Sequence, residues 1–167
     1  MRKILSLAAI GLISGSILQT ATAQANKDNS MAKKNLAAYH VIEKAFQTGN
    51  TSEIDRVVAS DFVDHTERGD MDRDSLKAMI VWMHRENPDM KLEKIRELAD
   101  DEYVMAMRRY SGTSAGEPGM PPRGESYSMS SIEVVRFKNG KAVEHWTFME
   151  MADMIRMMGP QMGTDNK

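Results

Sequence analysis

The sequence predicts an α+β domain, with helices first and an antiparallel sheet after them. Three observations carry that reading. Apolar residues recur at helical spacing through the first half of the chain, the period falls to two from Met90 onward, and two alternating runs flank Asn139-Gly140. An Asn-Gly pair between alternating runs is the strongest short-range hairpin signal, because both residues tolerate the positive φ of a tight turn.

Leu36, Tyr39, Ile42, Ala45 and Phe46 predict a helix over 32–48, which Gly49 ends. Asn50 or Thr51 is placed to cap a second helix that turns Ile54, Val57 and Val58 inward. Residues 61–66 read as a short extended or turn segment. Asp72 is the expected N-cap of a third helix carrying Leu76, Met79, Ile80 and Met83, stopped before Pro88. Strands are expected over 92–98 and 102–113, followed by a glycine- and proline-rich loop from Gly112 to Gly124. The hairpin comes next, with Tyr127, Met129, Ser131, Glu133, Val135 and Phe137 on one parity of its first strand. Residues 151–158 are expected as a short helix before Gly159-Pro160, and 160–167 as a flexible tail.

The N-terminus reads as an address. Arg2 and Lys3 precede an apolar run from Ile4 to Leu18, and Ala21-Thr22-Ala23 offers small residues for cleavage after Ala23, with Ala25 as the second option. A spanning helix needs about 20 apolar residues, and Gly11, Ser14, Gly15 and Ser16 interrupt this run. The expectation is a signal peptide over 1–23, a disordered polar leader over 24–31 and one folded domain over 32–159. Such a chain is exported to the periplasm or beyond and keeps no membrane span after signal cleavage. It contains no cysteine, which excludes disulfides, a thiolate nucleophile and cysteine-based zinc sites. The net charge of −2 gives no reason to expect nucleic acid as a partner. His40, His65, His84 and His145 form no His-x-His or His-x-x-x-His pair, so no metal site is expected. There is no Gly-x-Ser-x-Gly, phosphate loop or dinucleotide fingerprint either. Sixteen methionines suit an adaptable apolar cavity or plain core filling.

Three sets of residues in order carry a family resemblance. They are Phe62-Val63-Asp64-His65; Gly112-Thr113 with Gly116-Glu117, Pro121-Pro122 and Gly124; and Asn139-Gly140-Lys141 with Glu144-His145-Trp146. From about Lys34 to Gly159 the chain resembles the SnoaL-like polyketide cyclases. The resemblance implies a cone-shaped fold of the nuclear transport factor type, with N-terminal helices packed on a strongly curved antiparallel sheet enclosing a pocket. That superfamily includes ketosteroid isomerases, dehydratases, epoxide hydrolases and cyclases, and also non-catalytic binding proteins, so fold alone does not settle chemistry. The cyclases work without a cofactor, through an acid late in the sheet; sheet-face homodimers are common among relatives. The acid, usually an aspartate four residues after the Trp, is Glu150 here. Thr147, Ser114 and Arg123 stand where an acid, a histidine and a threonine are common.

The candidate catalytic residues are therefore Glu150, His65 and Arg109. Glu150 beside Trp146 and Phe148 would have its pKa raised in an apolar cavity, or would serve as a charge at the start of the last helix. His65 is expected at the pocket, or as a structural histidine held by backbone or by Asp64. Arg109 is expected to polarise a substrate oxygen or to pair with Glu133. Trp146, Trp82, Tyr39, Glu144, Met105 and Met107 are the expected lining of a site for a small, largely apolar molecule. Glu144 is alternatively an ion-pair partner of Lys141, Arg136 or Arg109. His145 is expected to face outward or to lie at a subunit interface, and Arg108 to face outward. Two functions stay open: a cofactor-independent acid/base enzyme (cyclase, isomerase, dehydratase or hydrolase type), and a non-catalytic ligand-binding or assembly module.

Overall fold

The structure, a computed structural model, describes residues 14–66, 69–116 and 120–153, with side chains from residue 31 onward. The expected targeting segment up to residue 13, the last helix beyond residue 153 and the tail over 160–167 lie outside the described residues. Helix α1 (Ser14–Thr48) and the single turn α2 (Ile54–Val57) lead into β1 (Val58–Thr66), β2 (Gly69–Met71) and α3 (Arg73–Glu86). Four strands follow: β3 (Lys91–Ala99), β4 (Tyr103–Thr113), β5 (Ser126–Lys138) and β6 (Lys141–Met149). They form one open six-stranded sheet in the order β2-β1-β6-β5-β4-β3, antiparallel except where β1 runs parallel to β6. This is the expected helices-then-sheet α+β architecture, curved by bulges in β1, β3 and the β5–β6 pair.

Helix α1 starts well before Ala32 and runs through the polar residues 24–31. It packs on the sheet through Asn35, Ala38, Tyr39, Ile42 and Ala45, all buried at the three- and four-residue spacing of one helical face. Gly49 ends it with φ +68, its N–H bonded to the carbonyl of Ala45 at 2.8 Å. The next turn is capped by neither Asn50 nor Thr51: its N-cap is Glu53, without a side-chain bond. Asp72 caps α3 as expected, accepting from the Ser75 N–H at 2.8 Å. Helix α3 buries Leu76 and Ile80 against the sheet, leaving Val81 and Trp82 exposed.

The hairpin closes through Asn139 (φ 56) and Gly140 (φ 77), the left-handed pair that matches the twist of the flanking strands. Its first strand turns Tyr127, Ser131, Val135 and Phe137 inward. The core joins these to Val104 and Ala106 of β4, Val58 and Phe62 of β1, and the helices. Each fully buried aliphatic side chain contributes roughly 1.5–3 kcal/mol.

Two glycine substitutions separate backbone strain from crowding. Gly49→Ala forces a Cβ to 2.7 Å from the His84 ring at a positive φ, whereas a Cβ at Gly140 meets only the movable end of Lys34. Urea denaturation should show losses of about 2 kcal/mol for Gly49→Ala and about 1 kcal/mol for Gly140→Ala.

Candidate functional site

The inner face of the sheet is unusually polar for a core. Reading across one row, Val104, Val135, His145 and Asp64 are neighbours on β4, β5, β6 and β1. Asp64 is 3% exposed, and a carboxylate so placed needs a partner. His145 supplies it, its Nδ1 donating to Asp64 Oδ1 at 2.8 Å. Its Nε2 lies 3.3 Å from the Thr147 hydroxyl. Burial works against the imidazolium, but the bond to Asp64, that residue's charge and the charge of Glu133 outweigh it, so the pKa lies above 6.5.

Two residues before Val135 on β5, and on the same face, Glu133 accepts hydrogen bonds from two phenols. Tyr39 of α1 donates to Oε2 at 2.9 Å, and Tyr110 of β4 donates to Oε1. Burial, reinforced by the Glu133 charge, pushes both phenols well above 10, so they stay protonated donors. Glu133 and His145 face one small hollow, otherwise lined by Tyr39, Ile42, Phe46, Phe62, Leu76 and Val135. Its volume is about 30 Å³, room for a single water.

Behind Tyr39 lies a second polar cluster. Arg108, fully buried, sits with its guanidinium carbon 5.2 Å from the centre of the Tyr39 ring. It pairs with Glu43 at 3.0 Å and donates to Glu97. His40 Nε2 reaches Glu97 at 3.0 Å, and Lys94 reaches it at 3.2 Å. Burial pushes Glu97 up, but the bonds from Arg108, His40 and Lys94 prevail and hold its carboxyl at about 2. Burial raises Glu43, with Arg108 opposing and Glu97 adding to the rise.

Most residues expected at the site lie elsewhere. Of the expected lining, Tyr39 faces the hollow. Met105 and Met107 are 45% and 39% exposed on the outer face. Arg109 also faces outward and pairs with Glu93 at 3.5 Å, not with Glu133; the buried arginine is its neighbour, Arg108. The order is inverted because both faces of β4 carry apolar residues, Val104 and Ala106 inside against Met105 and Met107 outside.

His65 and Trp146 are stacked on each other at 4.9 Å on the outer face, and His65 bonds Asp70 at 3.0 Å. Glu144 bonds Arg136 at 2.5 Å, one of its expected ion pairs, which lowers its carboxyl pKa. Glu150 is exposed just before the helical residues 151–153. Trp82 lines a separate open cleft of about 580 Å³ between α3 and residues 51–55. His145, expected outside, is the inward residue. The cause is a bulge between Arg136 and Phe137: Phe137 faces Ala142, but Arg136 already faces Glu144, so Val143 is the extra residue and every later position changes face.

These features define an α+β protein of the cone type with paired titratable groups on the inner face of its sheet. The sequence family of SnoaL-like polyketide cyclases matches residues 36–157, and the chain belongs to it. Among solved structures, it is similar to AclR from Streptomyces galilaeus, with 24% identity, a TM-score of 0.61 and coverage of 74% of this chain and 79% of that one. A SnoaL-like polyketide cyclase from Agrobacterium tumefaciens shares 16% identity and a TM-score of 0.64 over 75% of this chain and 98% of its own. TsrD from Streptomyces laurentii shares 17% identity and a TM-score of 0.64 over 79% and 97%. At these identities the likeness is one of fold. No curated protein sequence matches the chain. Among the described residues, no helix is long and apolar enough to cross a membrane.

The Asp64–His145 bond sets a pH dependence. A native imidazole that holds its proton more tightly than an exposed histidine contributes stability in full below about pH 6.5 and loses it as pH rises through the native pKa. An NMR titration should place His145 above 6.5 in the wild type and below it in Asp64→Asn, where only the weaker pull of the Glu133 charge still opposes burial. An unchanged midpoint would remove Asp64 as the cause.

Proposed function

We propose that this is a cofactor-independent acid/base enzyme acting on a small, largely apolar molecule held on the inner face of the sheet. The observation that carries the reading is the placement of two titratable groups, Glu133 and His145, on a single hollow walled by apolar side chains. In this reading His145 moves the proton, with Asp64 fixing its tautomer and ring orientation. Glu133 is the second proton-transfer group, held in place by the Tyr39 and Tyr110 hydroxyls that donate to it. The water-sized hollow requires the packing around Phe46, Phe62 and Leu76 to give way as a ligand enters. The family and the Agrobacterium tumefaciens relative support ring closure on a polyketide-like chain as the first reaction to test. Glu150, His65 and Arg109 lose weight as catalytic candidates, since their outward placement keeps them from that hollow.

The Arg2-Lys3 start, the apolar run to Leu18 and Ala21-Thr22-Ala23 support export as a signal-bearing protein. A homodimer through the outer sheet face is supported by Met105, Met107, Ile132 and Phe148, which lie close together there and are all exposed. The same face favours a second reading, a non-catalytic assembly module.

Purified protein incubated with an apolar metabolite extract and followed by mass spectrometry tests the enzyme reading. The wild type should retain and convert at least one compound, and His145→Gln should retain it while converting at least a hundredfold more slowly. Retention without conversion by the wild type would favour the assembly or binding module. Sedimentation should find a dimer that Met107→Lys with Ile132→Lys turns into a folded monomer; a wild-type monomer would end the dimer proposal.

A further inference from the structure

Among the described residues, one cluster brings three ligand-type side chains together without any role in the acid/base site. His40 Nε2 and one carboxylate oxygen each of Glu43 and Glu97 lie within 4.8 Å of one another. His40 and Glu43 stand one turn apart on α1, and Glu97 comes from β3, so the cluster spans the seam between helix and sheet. We infer that this cluster is a binding site for one divalent transition-metal ion of the zinc type, clamping α1 to the sheet.

Three features argue for it. The donor set, one imidazole nitrogen and two carboxylate oxygens, suits a borderline cation such as Zn²⁺ and leaves a fourth position for water. Glu43 and Glu97 are 15% and 8% exposed, so little ordering remains to be done, while His40 at 42% keeps a path to solvent. Charge also fits: two carboxylates face a single buried guanidinium, Arg108, which leaves one negative charge and an imidazole nitrogen for the ion once Lys94 has left Glu97. Lys94 is the competitor. It reaches Glu97 at 3.2 Å but is 56% exposed and free to swing out when a metal enters.

Calorimetric titration of the full chain with zinc chloride, repeated with cobalt(II) for its absorption spectrum, tests the site. One equivalent of Zn²⁺ should bind and raise the melting temperature, and EDTA should reverse the shift. His40→Gln should weaken binding at least tenfold, since even outer-shell losses at metal sites cost 10–100-fold. That variant alters a half-exposed residue, so its fold can be checked by its unchanged melting in EDTA. Lys94→Ala should bind as tightly as the wild type or more so, because it removes a competing cation. If the wild type shows no zinc heat and no response to EDTA, the cluster is an ion-pair network only and the proposal falls. It falls equally if His40→Gln binds like the wild type.

Discussion

The bond between Asp64 and His145 is the constraint around which the inner face is arranged. It joins strands far apart in sequence at the one place where the sheet runs parallel, with Val63, Asp64 and His65 beside Glu144, His145 and Trp146. Neither group is at ease alone. A carboxylate at 3% exposure without a partner would cost several kcal/mol, and a buried imidazolium is disfavoured for the same reason. Each makes the other tolerable, and together they fix which residues of β1 and β6 look inward. His65 and Trp146, the next residues along, are thereby sent outside to stack on each other.

Among the described residues the rest of the interior follows one rule: each buried charge is met by a partner from a different element. Glu133 on β5 is met by phenols from α1 and β4. Arg108 on β4 is met by Glu43 from α1 and Glu97 from β3. Buried ion pairs of this kind add little net stability over apolar packing, because desolvation cancels most of their attraction. Their retention here is better understood through placement. The Arg108 cation over the Tyr39 ring holds that phenol between the charged cluster and the hollow, where its hydroxyl meets Glu133. Burial raises the tyrosines, and Glu133 raises them further, which keeps donors as donors at any ordinary pH.

Much of this architecture was legible in the residues, and the part that was not has a specific cause. Helix spacing disclosed α1 and α3, Asp72 disclosed a cap, and Asn139-Gly140 disclosed the hairpin with its turn. Tyr39 was placed at the hollow by its position on the inward stripe of α1. Strand face was the weak point. On β6 the single extra residue at Val143 reversed the orientation of everything after it, so Trp146 and His145 exchanged sides. Nothing in the letters marks that bulge. On β4, methionines outside and small apolar residues inside gave no contrast by which to choose, so Arg108 and Arg109 exchanged sides too. The metal-type cluster escaped because His40 and Glu97 are 57 positions apart, and only the packing of α1 on β3 unites them.

A double-mutant cycle on Asp64→Asn and His145→Gln, read by chemical denaturation, tests the central pairing most directly. At about pH 6, where the imidazole is protonated in the native state, the coupling should be about 1–2 kcal/mol and should shrink as the pH rises. A coupling near zero at that pH would mean that the two residues do not depend on each other, and the arrangement of the inner face described here would be wrong.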